Sequence, residues 1–216
     1  MTLLALSRIH FPVTTLGPGR RIGIWLQGCS IRCPGCISLD TWAPDRGLTS
    51  VEAALQTMLP FLPHADGLTV SGGEPFDQPL ALQALLAAWR RSHSGDVLIY
   101  SGYALERLAP EIGQFEGLID ALVTDPFELK APQTKALRGS DNQRLTPLTA
   151  KGIARFQPYD RAIQDDERAL DIMFDDTTGT VFLAGIPRRG DLTRLADLMS
   201  LEGHRIVTTQ DKINAP

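Results

Sequence analysis

The sequence predicts an α/β protein in which helices cover a mostly parallel sheet. Two observations carry this. Short apolar runs alternate with amphipathic helical stretches from Arg21 to about Phe127, and such alternation builds parallel sheets. The chain has 216 residues, 43% of them apolar and 21% charged, which suits one packed domain with or without an appendage.

"RIGIWLQG" (Arg21–Gly28) reads as the first buried strand and runs into a loop that lasts to about Gly47. A helix follows in "LTSVEAALQTMLPFL". Thr49 and Glu52 have capping-box spacing, and Val51, Ala54, Leu55, Met58 and Leu59 share an apolar face. "GLTVSGGEP" is a second strand that ends in a glycine turn. Asp77 is the expected cap of the next helix, with Pro79 in its first turn and Leu82, Leu85, Leu86 and Trp89 on its buried side. "DVLIYSGY" is a third strand, "YALERLAPEI" a short helix and "LIDALVTDPF" a fourth strand. From Glu128 to about Arg168 the chain is polar and turn-rich. That is too long for a plain connector, so the segment is functional or hides short elements. "LDIMFDDTTGTVFLAGIP" reads as a β-hairpin, and "DLTRLADLMSLEG" as a helix capped by Asp191 and stopped at Gly203. "HRIVTT" reads as a last strand. The acidic run Gln164–Asp176 is a solvated face or a docking surface for a basic partner.

A net charge of −4 offers no polyanion-binding surface, so nucleic acid is not an expected ligand. The N-terminal apolar run is short, with no basic region ahead of it and no small-residue cleavage site. No apolar run approaches the length of about 18 residues that a membrane span needs. The expected compartment is the cytoplasm. Thiols stay reduced there, so clustered cysteines point to metal binding or catalysis.

The chain has three cysteines, Cys29, Cys33 and Cys36, all in "WLQGCSIRCPGCISLDTW". Structural zinc normally takes four ligands, and the fourth would be a distant His10, His64, His93 or His204, none at knuckle spacing. A redox pair in Cys33-Pro-Gly-Cys36 would leave Cys29 idle. The third reading uses the odd count. A [4Fe–4S] cluster normally takes four thiolates, and three leave one iron open to a small molecule. Trp25 and Trp42 flank the loop as packing or as a shield for a cluster.

C-x3-C-x2-C after a first strand resembles the signature of radical S-adenosylmethionine (SAM) enzymes, and Gly72-Gly73-Glu74-Pro75 resembles their SAM-contacting turn. "GCSIRCPGCISLDTW", and "LVTDPF" followed by "LRGSDNQR", resemble the glycyl-radical-enzyme activases, the activating component of anaerobic ribonucleotide reductase among them. The likeness covers roughly Gly17 to Leu148. Ile37-Ser38 departs from the aromatic–Asn pair usual there, and the chain continues well past the usual end.

The resemblance implies a partial (βα)6 TIM-like barrel with a small C-terminal α+β extension. Residues 1–150 would carry the cluster and the SAM site, and residues 151–216 would form the extension. Cys29, Cys33 and Cys36 would hold the [4Fe–4S] cluster, with SAM on the open iron. Reductive cleavage of SAM would give a 5′-deoxyadenosyl radical that takes hydrogen from a glycine of a partner enzyme. The electron would come from a reduced flavodoxin- or ferredoxin-type donor. Gly72 and Gly73 would let the backbone approach the methionine moiety, next to Pro75, and Glu74 would accept from its ammonium. Ser101, Gly102 and Tyr103 would reach the SAM carboxylate or ribose. Asp125, Asn142, Gln143 and Arg144 would line the mouth. No catalytic side chain beyond the cluster ligands is implied. Two other readings stay open: a stand-alone radical SAM enzyme acting on a peptide or small metabolite, and a non-catalytic zinc module.

Overall fold

In a computed structural model, which describes residues 2–44, 46–175 and 179–204, the chain runs β1 (Leu3–Val13), β2 (Arg21–Leu26), β3 (Leu48–Ser50), α1 (Val51–Met58), β4 (Gly67–Gly72), α2 (Pro79–Ser92) and β5 (Asp96–Tyr100). It continues through α3 (Leu105–Ile112), β6 (Ala121–Thr124), β7 (Arg144–Pro147), α4 (Ala150–Phe156), β8 (Leu170–Asp175), β9 (Thr180–Gly185) and α5 (Asp191–Leu201). Seven strands form one sheet in the order β3-β1-β2-β4-β5-β6-β7, and β8 pairs with β9 in a second. The expected α/β class holds, and its parallel block is β2, β4, β5 and β6.

The expected count of six βα units does not hold among the described residues. Four strands are parallel, β1 and β7 flank them antiparallel, and β3 pairs antiparallel with β1 at the outer edge. The sheet is open, with no closed barrel among these strands. The short link from β1 to β2 explains one antiparallel edge, because a parallel return needs about a dozen residues, usually a helix.

One sheet face is covered by α1 and α2. Val51, Ala54 and Met58 of α1 and Leu82, Leu85, Leu86 and Trp89 of α2 pack on Ile22, Ile24, Leu68, Val70, Val97 and Ile99. β2 is buried at all six positions, as a central parallel strand covered on both faces should be. At the start of the parallel strands lies a fully buried Arg21. It pairs with Asp96 at 2.6 Å and donates to Thr69 Oγ1 and the Leu68 carbonyl, with the Phe156 ring of α4 beneath it. A buried charge is tolerable only when paired and hydrogen-bonded in this way. This end is therefore plugged, and the opposite strand ends carry the loops.

Several local expectations change. Ser50, not Thr49, caps α1, accepting from Ala53 N at 3.1 Å. Gln78 occupies the cap position of α2, and Asp77 has another task, described below. Gly190 precedes α5, while Asp191 accepts from Arg188 N at 2.9 Å. The polar stretch after Glu128 hides β7 and α4, the latter capped by Thr149. The hairpin forms as expected, with residues 176–178 of its turn outside the described residues. So is the expected last strand from residue 205 onward. Among the described residues of the acidic run, Glu167 pairs with Arg161, and Asp165 pairs with Arg188 while staying exposed.

Candidate active site

The loop after β2 is folded back on itself by backbone bonds. Gly28 N donates to Thr41 O at 2.7 Å and Cys29 N to Trp42 O at 3.3 Å. Gln27 Nε2 reaches Ala43 O at 2.7 Å. Cys36 N closes onto Cys33 O at 3.1 Å, which gathers the thiols.

Asp77 ties this loop to its neighbours. Its carboxylate accepts from Ser30 N (2.8 Å), Ser30 Oγ (3.0 Å) and Tyr103 Oη (2.6 Å). One side chain thus joins the cysteine loop, the turn after β4 and the turn after β5. This is why it is not free to cap α2.

The glycine turn makes a close approach within the protein itself. Gly73 N donates to Leu26 O at 2.8 Å and Glu74 N to Gly28 O at 2.9 Å. A Cβ on Gly73 would stand 1.9 Å from Gly28 O, and one on Gly72 would stand 2.5 Å from Leu26 N and O. Gly72 also has φ +105°, a conformation that favours glycine. Both glycines therefore let the turn lie against the root of the cysteine loop.

Glu74 is 1% exposed. Its Oε1 accepts from Phe76 N (3.0 Å) and Ser101 Oγ (2.8 Å), and its Oε2 from Gly102 N (2.8 Å). The carboxylate so joins the turn after β4 to the turn after β5. Burial pushes its carboxyl up to about 7 despite these donors. A carboxyl that holds its proton more tightly folded than unfolded costs stability as pH rises from its usual range to its folded value. Relative to Glu74→Gln, the metal-free chain is expected to lose about 2 kcal/mol of unfolding free energy between pH 5 and pH 8. Urea titrations of both proteins at the two pH values check this; parallel curves would contradict it.

The residues expected at the mouth form a tie. Asp125 has φ +82°, rare for a non-glycine residue. It is held by its N–H on Tyr103 O (2.9 Å) and by a two-point pair with Arg144 (2.6 and 2.8 Å). Arg144 also forks onto Glu106 (2.6 and 2.7 Å). Asn142 Nδ2 donates to Pro126 O (2.8 Å). Gln143 Nε2 donates to Asp125 O (3.1 Å), and its Oε1 accepts from Gly139 N (2.8 Å).

A cavity of about 690 Å³ lies over the strand ends, within the range of cofactor sites. Cys29, Cys33 and Cys36 line it, with Gly72, Gly73 and Glu74 below them and Ser101, Gly102 and Gln143 alongside. Pro75, Tyr103, Asp125, Asn142 and Arg144 do not line it; they hold its walls. Pro75 is buried at the start of a short 3-10 turn. Sequence reasoning missed Tyr100 and Phe127 in the lining, and the whole stretch from Leu183 to Gly190. An apolar residue just before or after a predicted strand end was the only available signal for the first two.

Burial pushes all three thiols up. Opposing this, Ser38 N donates to Cys36 Sγ (3.4 Å), while the nearby backbone N–H groups of Ile31 and Arg32 favour the Cys29 thiolate and that of Phe127 the Cys33 thiolate. The Trp42 side chain also favours the Cys36 thiolate. N–H groups aimed at sulfur are what iron-bound thiolates accept. The donor set therefore fits a cluster, and the cavity beside it leaves room for a nucleoside cofactor.

Residues 15–146 match the family described as "4Fe-4S single cluster domain". The chain is 32% identical over 145 residues to the anaerobic ribonucleoside-triphosphate reductase-activating protein of Salmonella typhi, covering 62% of this chain and 93% of that one. It is 31% identical over 136 residues to the protein of the same name from Enterobacteria phage T4, covering 60% and 85%. It is 42% identical over 81 residues to the pyruvate formate-lyase-activating enzyme of Staphylococcus aureus (strain USA300), covering 34% and 32%. Fold, thiol loop and relatives together define a radical SAM enzyme of the activating-enzyme group. The chain belongs to the 4Fe-4S single cluster domain family, and its cofactors are a [4Fe–4S] cluster and SAM. Among the described residues no helix is long and apolar enough to cross a membrane.

Proposed function

We propose that this protein activates a partner enzyme by removing a hydrogen atom from one of its backbone glycines. The observation that carries the reading is a single cavity lined both by three thiols from one loop and by the glycine turn of the next strand. Cys29, Cys33 and Cys36 hold the cluster, and the backbone of Gly72 and Gly73 with Ser101 and Gly102 forms the SAM-facing floor. When bound and reduced, cluster and SAM supply a 5′-deoxyadenosyl radical. The chain's own residues do the rest. Asp77 and Glu74 lock three loops in register, Trp25 and Trp42 exclude water from the sulfurs, and Gln143 with the Asp125–Arg144 tie fixes the far wall. Rigid placement of this kind is the protein's share in cofactor chemistry.

The reading includes a reduced flavodoxin- or ferredoxin-type electron donor and a cytoplasmic site of action. It treats residues 1–150 as the cluster-bearing part, a partial TIM-like barrel, and residues 151–216 as an extension. The test is anaerobic. The reconstituted chain, a chemical reductant, SAM and a candidate glycyl-radical enzyme encoded beside it are mixed and frozen. A glycine-centred doublet in the electron paramagnetic resonance (EPR) spectrum, with one 5′-deoxyadenosine per radical, is expected. Release of 5′-deoxyadenosine with no protein radical would instead favour a stand-alone enzyme acting on a peptide or metabolite.

A further inference from the structure

The family match ends at residue 146, yet the chain returns to the site beyond it. In the hairpin, Asp171 faces Ala184 and Met173 faces Phe182 across the strands, so these four share one side. That side is seated on β1 and β2. The Asp171 carboxylate accepts from Thr14 N (2.7 Å), Thr14 Oγ1 (2.7 Å), Thr15 N (3.1 Å) and Thr15 Oγ1 (2.9 Å). The Phe182 ring lies 5.3 Å from that of His10 and 5.1 Å from the Arg8 guanidinium. Ala184 is 2% exposed and packs with Val13, Leu16 and Trp25.

The chain then crosses to the opposite side of the cavity. Gln133 Nε2 donates to Pro187 O at 2.9 Å, and the Arg189 guanidinium donates to Ala131 O. Leu183 and Ile186 between these two anchorages, and Leu192 just past the second, line the cavity, with Ile37, Phe127 and Leu129 also in its lining. The strap spans from the β1–β2 turn to the β6–β7 loop, across the side that the open sheet leaves uncovered.

We propose that Leu183–Thr193 is the substrate-facing wall of the radical site, with Asp171 as the residue that positions it, and that it admits only a slender, extended peptide segment. This deepens the activating-enzyme reading and rests on it for the nature of the substrate. The cavity must hold both cofactors within about 690 Å³. A strap fixed at both ends narrows the approach to the sulfurs on that side. An apolar slot of remaining width suits backbone carrying small side chains, which is what a glycine-bearing strand offers.

The test uses the metal-free full chain and reads no activity. Each cysteine is alkylated with iodoacetamide or with a maleimide on a bulky polymer, and the ratio of the two rates is taken. The ratio cancels differences in thiol reactivity between variants. In the wild type the bulky reagent is expected to lag strongly behind its reactivity toward a free cysteine peptide. Asp171→Ala should raise the bulky-to-small ratio by about tenfold or more, because four hydrogen bonds to one carboxylate are lost. Gln133→Ala combined with Arg189→Ala removes both side-chain bonds of the opposite anchor without touching the hairpin, and should raise it in the same direction; it decides the matter if Asp171→Ala fails to fold. A wild-type ratio equal to that of the free peptide, or ratios unchanged in the folded variants, overturns the proposal. SAM cleavage by the reconstituted wild type separates the two claims. Cleavage with unchanged ratios sinks the wall alone, and changed ratios without cleavage sink the radical chemistry alone.

Discussion

Cys33→Ala is expected to abolish cluster loading and SAM cleavage while leaving the metal-free fold intact. The three sulfurs sit on one short loop, partly buried, with Ser38 N donating to Cys36 Sγ and the backbone N–H groups of Ile31 and Phe127 favouring the other thiolates. No fourth cysteine exists in the chain to replace a lost one. Outer-sphere changes at metal sites cost about 10- to 100-fold in affinity, so loss of a ligand itself should cost more than about 100-fold. Cys33 packs nothing essential, and the apo chain should keep its stability to within about 0.5 kcal/mol. Iron and sulfide analysis after anaerobic reconstitution, with denaturation of the metal-free proteins, reads both halves. Full iron retention in the variant would contradict the ligand assignment.

Gly73→Ala should unfold the site, and with it much of the chain's stability. The new Cβ would stand 1.9 Å from Gly28 O and 2.6 Å from Gly28 C, both backbone atoms that cannot rotate away. Relief requires parting the glycine turn from the cysteine loop. That breaks the Gly73–Leu26 and Glu74–Gly28 hydrogen bonds and strips donors from buried ground. Overpacking and lost buried bonds together should cost about 3 kcal/mol or more, a large share of a typical domain's total. Gly113→Ala is the matched control. Its Cβ would meet nothing within 4 Å, and its backbone is already right-handed helical. It should stabilise slightly, by about 0.5 kcal/mol. Equal denaturation midpoints for the two variants would refute the steric account.

The parallel strands, the cysteine loop and the glycine turn were legible because each is a local pattern. β2 and β4 are short, mostly apolar runs, and their loops carry unusual residues at the strand ends. β1 was not legible. Arg8 and His10 interrupt its apolar pattern; both pack against the Trp25 and Phe182 rings, and Arg8 also pairs with Asp40. β7 spans four residues and α4 seven, too short to show a period. The role of Asp77 depends on Ser30 and Tyr103, and that of Glu74 on Ser101 and Gly102. Such partners are set by the sheet order rather than by sequence neighbourhood. The wall of the cavity is the extreme case: Asp171 meets Thr14 across 157 positions, and nothing local in either residue announces the contact.

The central claim is that three protein sulfurs hold a cluster with one iron left for SAM. The most direct measurement is the EPR spectrum of the reduced, reconstituted chain with and without SAM, alongside metal analysis. About four irons and four sulfides per chain, with a signal that changes shape when SAM is added, is the predicted result. A colourless protein holding one zinc, or a cluster signal indifferent to saturating SAM, would contradict it.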